Sequence, residues 1–203
     1  MSLDLRVVAI LDLAVLGDRD PVDAARAAAD GGATLLQVRA KDGGSGRLLA
    51  LVERLVVRLP IPVWVNDRAD MAWAAGAAGV HLGQEDLPAD RVRAMSPPGF
   101  GIGLSVGNAE EARHATGMPV DYWSIGPVYL TSHKADSGVP IGPDGFRGLK
   151  ALAPVGMPVI AIGGITAENA VEIRAVGADG VAVIGAIFRA KDIAAATRQL
   201  SAR

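Results

Sequence analysis

Four apolar runs in this chain end in polar residues suited to a diphosphate and a metal: Gln37-Val38-Arg39-Ala40-Lys41, Asn66-Asp67, Gln84-Glu85-Asp86 and Thr131-Ser132-His133-Lys134. Arg39 offers a planar fork to phosphate oxygens, while Lys41 and Lys134 offer point charges. Asp67 and Asp86 suit a hard cation, because magnesium takes one or two carboxylates and completes its octahedron with phosphate oxygens and water. Taken singly, each residue has an ordinary reading: the aspartates as caps of the helices that follow, the cations as solvated loop residues. A fifth segment, Val159 to Ile165, carries Gly163-Gly164 after an apolar run. A glycine turn there lets backbone N–H groups approach a phosphate closely.

Residues so far apart in sequence meet only if the fold gathers the ends of their segments. Eight short apolar runs recur along the chain: Val7 to Leu11, Thr34 to Val38, Pro62 to Val65, Gly79 to Leu82, Phe100 to Leu104, Tyr122 to Ile125, Val159 to Ile162 and Gly180 to Ile184. Amphipathic stretches lie between them, the clearest being Leu48, Leu51, Val52, Leu55, Val56 and Leu59 at helical spacing. Asp20-Pro21 with Asp23, and Asn108 with Glu111, are helix-start signals. Gly31-Gly32, Gly76 and Gly177 stand where helices must stop before the next strand. Strand and helix repeated eight times predict a single-domain α/β chain over 1–203, a (β/α)8 TIM barrel whose active site lies at the C-terminal ends of the strands. The main competitor, an open doubly wound sheet, wants a glycine-rich fingerprint after its first strand, and Leu11-Asp12-Leu13-Ala14 is not one. The stretch from Gly126 to Gly142, rich in glycine and proline, is the one long loop, and its place after the sixth strand suits a flap over the site.

Composition agrees with this class. The chain has 203 residues, half of them hydrophobic and only 4% aromatic, as close-packed parallel strands under helices require. A formal charge of −2 supplies no long-range attraction to nucleic acid or anionic membrane, so phosphate recognition must be local. With no cysteine, disulfides and thiolate metal sites are excluded. The N-terminus lacks a signal-peptide pattern and no apolar run is long enough to cross a bilayer, so a soluble cytoplasmic protein is expected. His81 reads as a satisfied core histidine and His114 as a helix-surface residue. Trp64, Trp73 and Trp123 read as filler of the core or of the barrel–helix layer.

Taken in order, Gln37-Val38-Arg39-Ala40-Lys41, Val65-Asn66-Asp67-Arg68, Val80-His81-Leu82-Gly83-Gln84-Glu85-Asp86, Gly126-Pro127 leading to Thr131 and Lys134, and Ile162-Gly163-Gly164-Ile165 resemble the thiamine phosphate synthase family over nearly the whole chain. The resemblance implies a (β/α)8 transferase that joins 4-amino-2-methyl-5-hydroxymethylpyrimidine diphosphate to hydroxyethylthiazole phosphate, giving thiamine phosphate and diphosphate. It places Mg2+ on Asp67 and Asp86, and the diphosphate on Arg39, Lys41, Asn66 and Lys134. Gln37 and Ser105 would contact the pyrimidine end. Thr131, Gly164 and the backbone near Ile184 and Gly185 would hold the thiazole phosphate. Arg39, Lys41 and Lys134 would be the catalytic cations. The family often forms homo-oligomers, and by analogy this chain is expected to do the same, with small molecules as its substrates.

Two positions depart from the family pattern. His133 stands where Thr or Ser is usual, and Gly185 where Ser is usual. Gly185 forfeits one hydroxyl donor to a charged group, worth roughly 1.5–3 kcal/mol, so weaker thiazole binding is expected. His133 is placed to compensate as a cationic donor. Three rival readings remain on sequence grounds. A thiazole tautomerase-like isomerase shares the barrel but carries a histidine where this chain has Gly126-Pro127-Val128. A non-catalytic phosphate-binding or regulatory barrel would bind without turnover. A generic sugar-phosphate enzyme would account for the glycine turn but not for the paired aspartates.

Overall fold

The structure, a computed structural model, describes residues 3–41, 44–131 and 138–201. Its eight strands are β1 (Val7–Asp12), β2 (Leu35–Arg39), β3 (Val63–Asn66), β4 (Gly79–Leu82), β5 (Gly101–Val106), β6 (Tyr122–Ile125), β7 (Val159–Ile162) and β8 (Gly180–Val183). They pair in parallel, each with the next in sequence, and β8 pairs back to β1, so the sheet closes. Helices follow the strands: α1 (Leu13–Leu16), α2 (Pro21–Asp30), α3 (Ser45–Arg58), α4 (Ala69–Ala74), α5 (Ala89–Met95), α6 (Ala109–Ala115), α7 (Gly142–Lys150), α8 (Ala167–Ala175), α9 (Gly185–Phe188) and α10 (Ile193–Ser201). The expected (β/α)8 barrel is what forms. None of these helices is long and apolar enough to cross a membrane.

Local chemistry explains where the helices start. Asp20 caps α2 by accepting from the N–H groups of Val22 and Asp23 at 2.8 and 3.0 Å, with Pro21 at the first helical position. Asn108 caps α6 in the same way, while Glu111 reaches back to the Gly107 N–H at 2.6 Å. The stripe Leu48, Leu51, Val52 and Leu55 of α3 is buried, as its spacing predicts. At the helix ends Gly32, Gly76 and Gly177 take positive φ, whereas Gly31 remains in the right-handed helical region.

Inside the barrel, side chains alternate by strand parity. Leu5, Val8, Ile10, Leu35, Trp64, Tyr122, Ile160 and Ala182 form the apolar filling toward the N-terminal end. Two large rings fit because the facing strands carry glycine. A β-carbon on Gly79 or Gly101 would collide with the Trp64 indole, and one on Gly103 with the Tyr122 ring. Trp123 belongs instead to the outer layer between strands and helices. Above the apolar filling, the same inward positions turn polar: Gln37, Asn66, His81, Ser105 and Ser124, then Asp12 and Arg39 at the strand ends. Two strand boundaries moved with consequence. β5 runs to Val106, which makes Ser105 a strand residue aimed inward, and β8 ends at Val183, which makes Ile184 the cap of α9.

Candidate active site

Parallel register brings the inward polar residues of neighbouring strands side by side. Asp12 lies opposite Arg39 across β1 and β2. Asn66 of β3 lies opposite His81 of β4, and Ser105 of β5 opposite Ser124 of β6. All of these positions lie at or near the C-terminal ends of their strands, which in a closed parallel barrel form one mouth.

Arg39 is the best fixed of the expected phosphate ligands. Its Nη1 forms an ion pair with Asp12 Oδ2, with side-chain exposures of 11% and 3%. Asp12 Oδ1 accepts in turn from the Ala14 N–H at 3.0 Å, so one carboxylate both caps α1 and orients the guanidinium. Sequence reasoning missed Asp12. The available signal was an aspartate closing an apolar strand, but only the register shows that it faces Arg39. Lys41, two residues past β2, is exposed.

Gln37 is buried and its Nε2 donates to Asn66 Oδ1 at 2.7 Å. That bond leaves the Gln37 carbonyl oxygen as the acceptor the amide can offer elsewhere. His81 is a satisfied buried histidine, as expected, but its position gives it a further connection. Nδ1 lies 2.7 Å from the Tyr122 hydroxyl and Nε2 lies 3.0 Å from Ser105 Oγ, so it links the barrel filling to a half-buried residue of the mouth. Gln84 Nε2 donates to the Ser105 carbonyl at 2.6 Å.

Asp67 and Asp86 follow the adjacent strands β3 and β4, and neither caps a helix. The cap position of α4 is Arg68 and that of α5 is Pro88, both without a side-chain cap bond. Asp67 has φ 64°, a left-handed conformation rare outside glycine, and its N–H is bonded to the His81 carbonyl at 2.8 Å. Asp86 Oδ2 accepts from the Gly83 N–H at 2.6 Å, which folds the turn after β4. Among the described residues no three His, Cys, Asp or Glu side chains cluster as a metal cage. A pair of carboxylates fits the way magnesium is held when a substrate phosphate supplies further oxygens.

The far side of the mouth is built from backbone. Val128 and Tyr129 donate to the carbonyls of Ile162 and Gly163 at 2.9 and 3.0 Å, and Ile141 and Gly142 donate to those of Pro127 and Val128 at 3.0 Å. A β-carbon on Gly163 would collide with Pro127, and one on Gly164 with Leu130 O and Tyr129. Gly163-Gly164 therefore also lets the first arm of the 126–142 loop pack against the end of β7, and the second arm bonds to the first. Thr131 is half-buried at the end of the first arm. Gly185 opens α9 just past β8. His133 and Lys134 lie outside the described residues, as does the centre of the expected flap.

Comparison with known proteins points in one direction. Residues 7–187 match the family model described as Thiamine monophosphate synthase. The thiamine-phosphate synthase of Methanoregula boonei is 46% identical, covering all of this chain and 94% of that protein. That of Methanospirillum hungatei is 43% identical over 89% of this chain and 88% of its own. Among solved structures, thiamine phosphate pyrophosphorylase from Pyrococcus furiosus superposes with a TM-score of 0.86 at 35% identity, covering 98% of this chain and 94% of that one.

Proposed function

The chain belongs to the thiamine monophosphate synthase family, and from that premise we propose that it is a transferase joining 4-amino-2-methyl-5-hydroxymethylpyrimidine diphosphate to hydroxyethylthiazole phosphate, with release of diphosphate. The observation that carries this reading is the buried Asp12–Arg39 pair beside Gln37–Asn66, at the same mouth as Asp67 and Asp86. It is a fixed cation, a polarised amide and two uncapping carboxylates in one place.

The chemistry asks little proton transfer of the protein. The electron-rich aminopyrimidine stabilises positive charge on its exocyclic methylene, so the bond to diphosphate breaks ahead of attack by the thiazole nitrogen. Such a reaction needs neutralisation of the leaving group, a positioned nucleophile and exclusion of water. Arg39, Lys41, Asn66 and Lys134 bind the diphosphate. Gln37 and Ser105 orient the pyrimidine. Thr131, Gly164 and the backbone at Ile184 and Gly185 hold the thiazole phosphate, with His133 adding a charge where the family uses a hydroxyl. Asp67 and Asp86 would hold Mg2+, which when bound neutralises charge on the diphosphate oxygens.

The tautomerase-like alternative wants a histidine in the 126–128 stretch. Here a β-carbon on Gly126 would collide with the Ile162 carbonyl, position 127 is proline, and Val128 is buried. That stretch supplies no base. The expected assembly is a homo-oligomer acting in the cytoplasm on small molecules alone, which light scattering and cell fractionation test. The deciding experiment incubates the protein with Mg2+ and both substrates and follows thiamine phosphate and diphosphate by chromatography. Mg2+-dependent formation of both supports the synthase. Binding of both substrates without product would favour a non-catalytic phosphate-binding barrel.

A further inference from the structure

Tyr122 is fully buried, stacked at 5.5 Å on His81 and tilted at 5.5 Å against Trp64, in the notch left by Gly103. Its hydroxyl meets His81 Nδ1 at 2.7 Å, and His81 Nε2 meets Ser105 Oγ at 3.0 Å. The direction of these bonds follows from proton counting. Burial pushes the phenol well above its usual range, so it keeps its proton. Were His81 Nδ1 to donate to the phenol oxygen, that proton would be buried without an acceptor among the described residues, which is costly. Tyr122 therefore donates to Nδ1, which places the imidazole proton on Nε2, and Nε2–H donates to Ser105 Oγ. Ser105 Oγ thus accepts from below, and its own proton is left for the mouth. The neighbouring Ser124 Oγ does not take it, being without a partner among the described residues.

We propose that Tyr122 and His81 are positioning residues that orient the Ser105 hydroxyl to donate its hydrogen bond to an acceptor atom of the pyrimidine diphosphate, either a ring nitrogen or a diphosphate oxygen. This rests on the reading that Ser105 contacts that substrate. The relay occupies one of the two Ser105 Oγ lone pairs and leaves its proton for the ligand, and so makes Ser105 sensitive to whether the ligand offers an acceptor at that point.

The direct test is ring-nitrogen NMR on isotope-labelled protein. Only three histidines are present, and the His81 signals are assigned by their loss in His81→Asn. A proton on Nε2 with a bare Nδ1 is expected. A proton on Nδ1, or on both nitrogens, overturns the relay. This readout needs no turnover, so it stands even if the synthase reading fails. The kinetic test uses Tyr122→Phe, which keeps the packed ring. Tyr122→Phe and Ser105→Ala should each raise KM for the pyrimidine diphosphate about tenfold, leave KM for the thiazole phosphate unchanged, and combine with no further loss. Additive effects, or equal shifts in both KM values, would mean that Tyr122 is only core. Inhibition by inorganic diphosphate and by the free pyrimidine alcohol separates the two acceptors. Weakening of the first by Tyr122→Phe points to a diphosphate oxygen and of the second to a ring nitrogen, and weakening of neither overturns the proposal.

Discussion

At the N-terminal end of the barrel, Asp121 accepts the Ile102 N–H and the Arg93 guanidinium through one oxygen, both at 2.7 Å, and Asp179 accepts the Val159 N–H at 2.8 Å and Lys150 at 2.9 Å. Each stands just before a strand and braces an N–H at the start of the strand before it, with a cation from a helix completing the charge. Thr34 performs the same bracing at Val7 with a hydroxyl. At the C-terminal end, Asp67 and Asp86 brace no strand opening and cap no helix. Arg39 is held by a neighbouring strand's carboxylate but stays at the mouth. The same residue type thus completes strand ends at one mouth and stands at the proposed ligand site at the other, and the two roles should separate in measurement as stability and turnover.

The largest expected effects are on turnover. Lys134→Ala, which removes a cation from the leaving group, and Asp67→Asn, which removes a carboxylate proposed to hold Mg2+, should each lower kcat by about a hundredfold or more. The choice of asparagine matters at position 67, because with φ 64° asparagine is the side chain that best tolerates the backbone. The unfolding free energies of these two variants, read from urea titrations, should move by no more than about 0.5 kcal/mol. A fall in stability that matches the fall in activity would erase the contrast between the two ends.

Asp12 crosses that division. Asp12→Ala leaves Arg39 a mostly buried charge without its partner and removes the α1 cap, so a loss of roughly 3 kcal/mol is expected in a denaturant melt, together with a higher KM for the pyrimidine diphosphate. Asp12→Asn should recover most of the stability and little of the KM. Below it in size come Asp121→Ala and Asp179→Ala. Each forfeits a hydrogen bond to a buried strand N–H, about 1–2 kcal/mol, with kcat and both KM values unchanged at a temperature where the variants are folded. Altered kinetics there would mean that strand starts communicate with the mouth.

The barrel was legible because its signals are local. Short apolar runs, caps such as Asp20 and Asn108, and glycines at helix ends each act within a few residues. The placement of the charged residues at one mouth was legible for a different reason: Arg39, Asp67 and Asp86 sit in short motifs at strand ends. What sequence could not show depends on register between strands. Asp12 becomes a partner of Arg39 only when β1 and β2 align, and His81 becomes a link to Ser105 only when β4 lies beside β5. Gly79, Gly101 and Gly103 read as ordinary strand glycines until Trp64 and Tyr122 are seen lying across them. The aspartates at 67 and 86 were equally open to a capping role, and the starts of α4 and α5 removed that reading.

Tyr129 offers the smallest and sharpest test, since it lies at the C-terminal end yet is tied into the fold. Its hydroxyl donates to Glu172 Oε2 at 2.7 Å, joining the loop after β6 to α8. Partial burial, then the hydrogen bond to the carboxylate, push its pKa up to about 12 from the ordinary 10. The folded protein therefore holds a proton that the unfolded chain has released between those values, and stability must fall as pH rises through that window. Its contribution is fully present below pH 10 and gone above about 12. Tyr129→Phe should flatten the stability curve across that window while leaving kcat and both KM values at neutral pH unchanged. An unaltered slope would show that neither burial nor Glu172 holds the proton on this phenol. Changed kinetics would move Tyr129 from the structural to the ligand-facing side of the comparison.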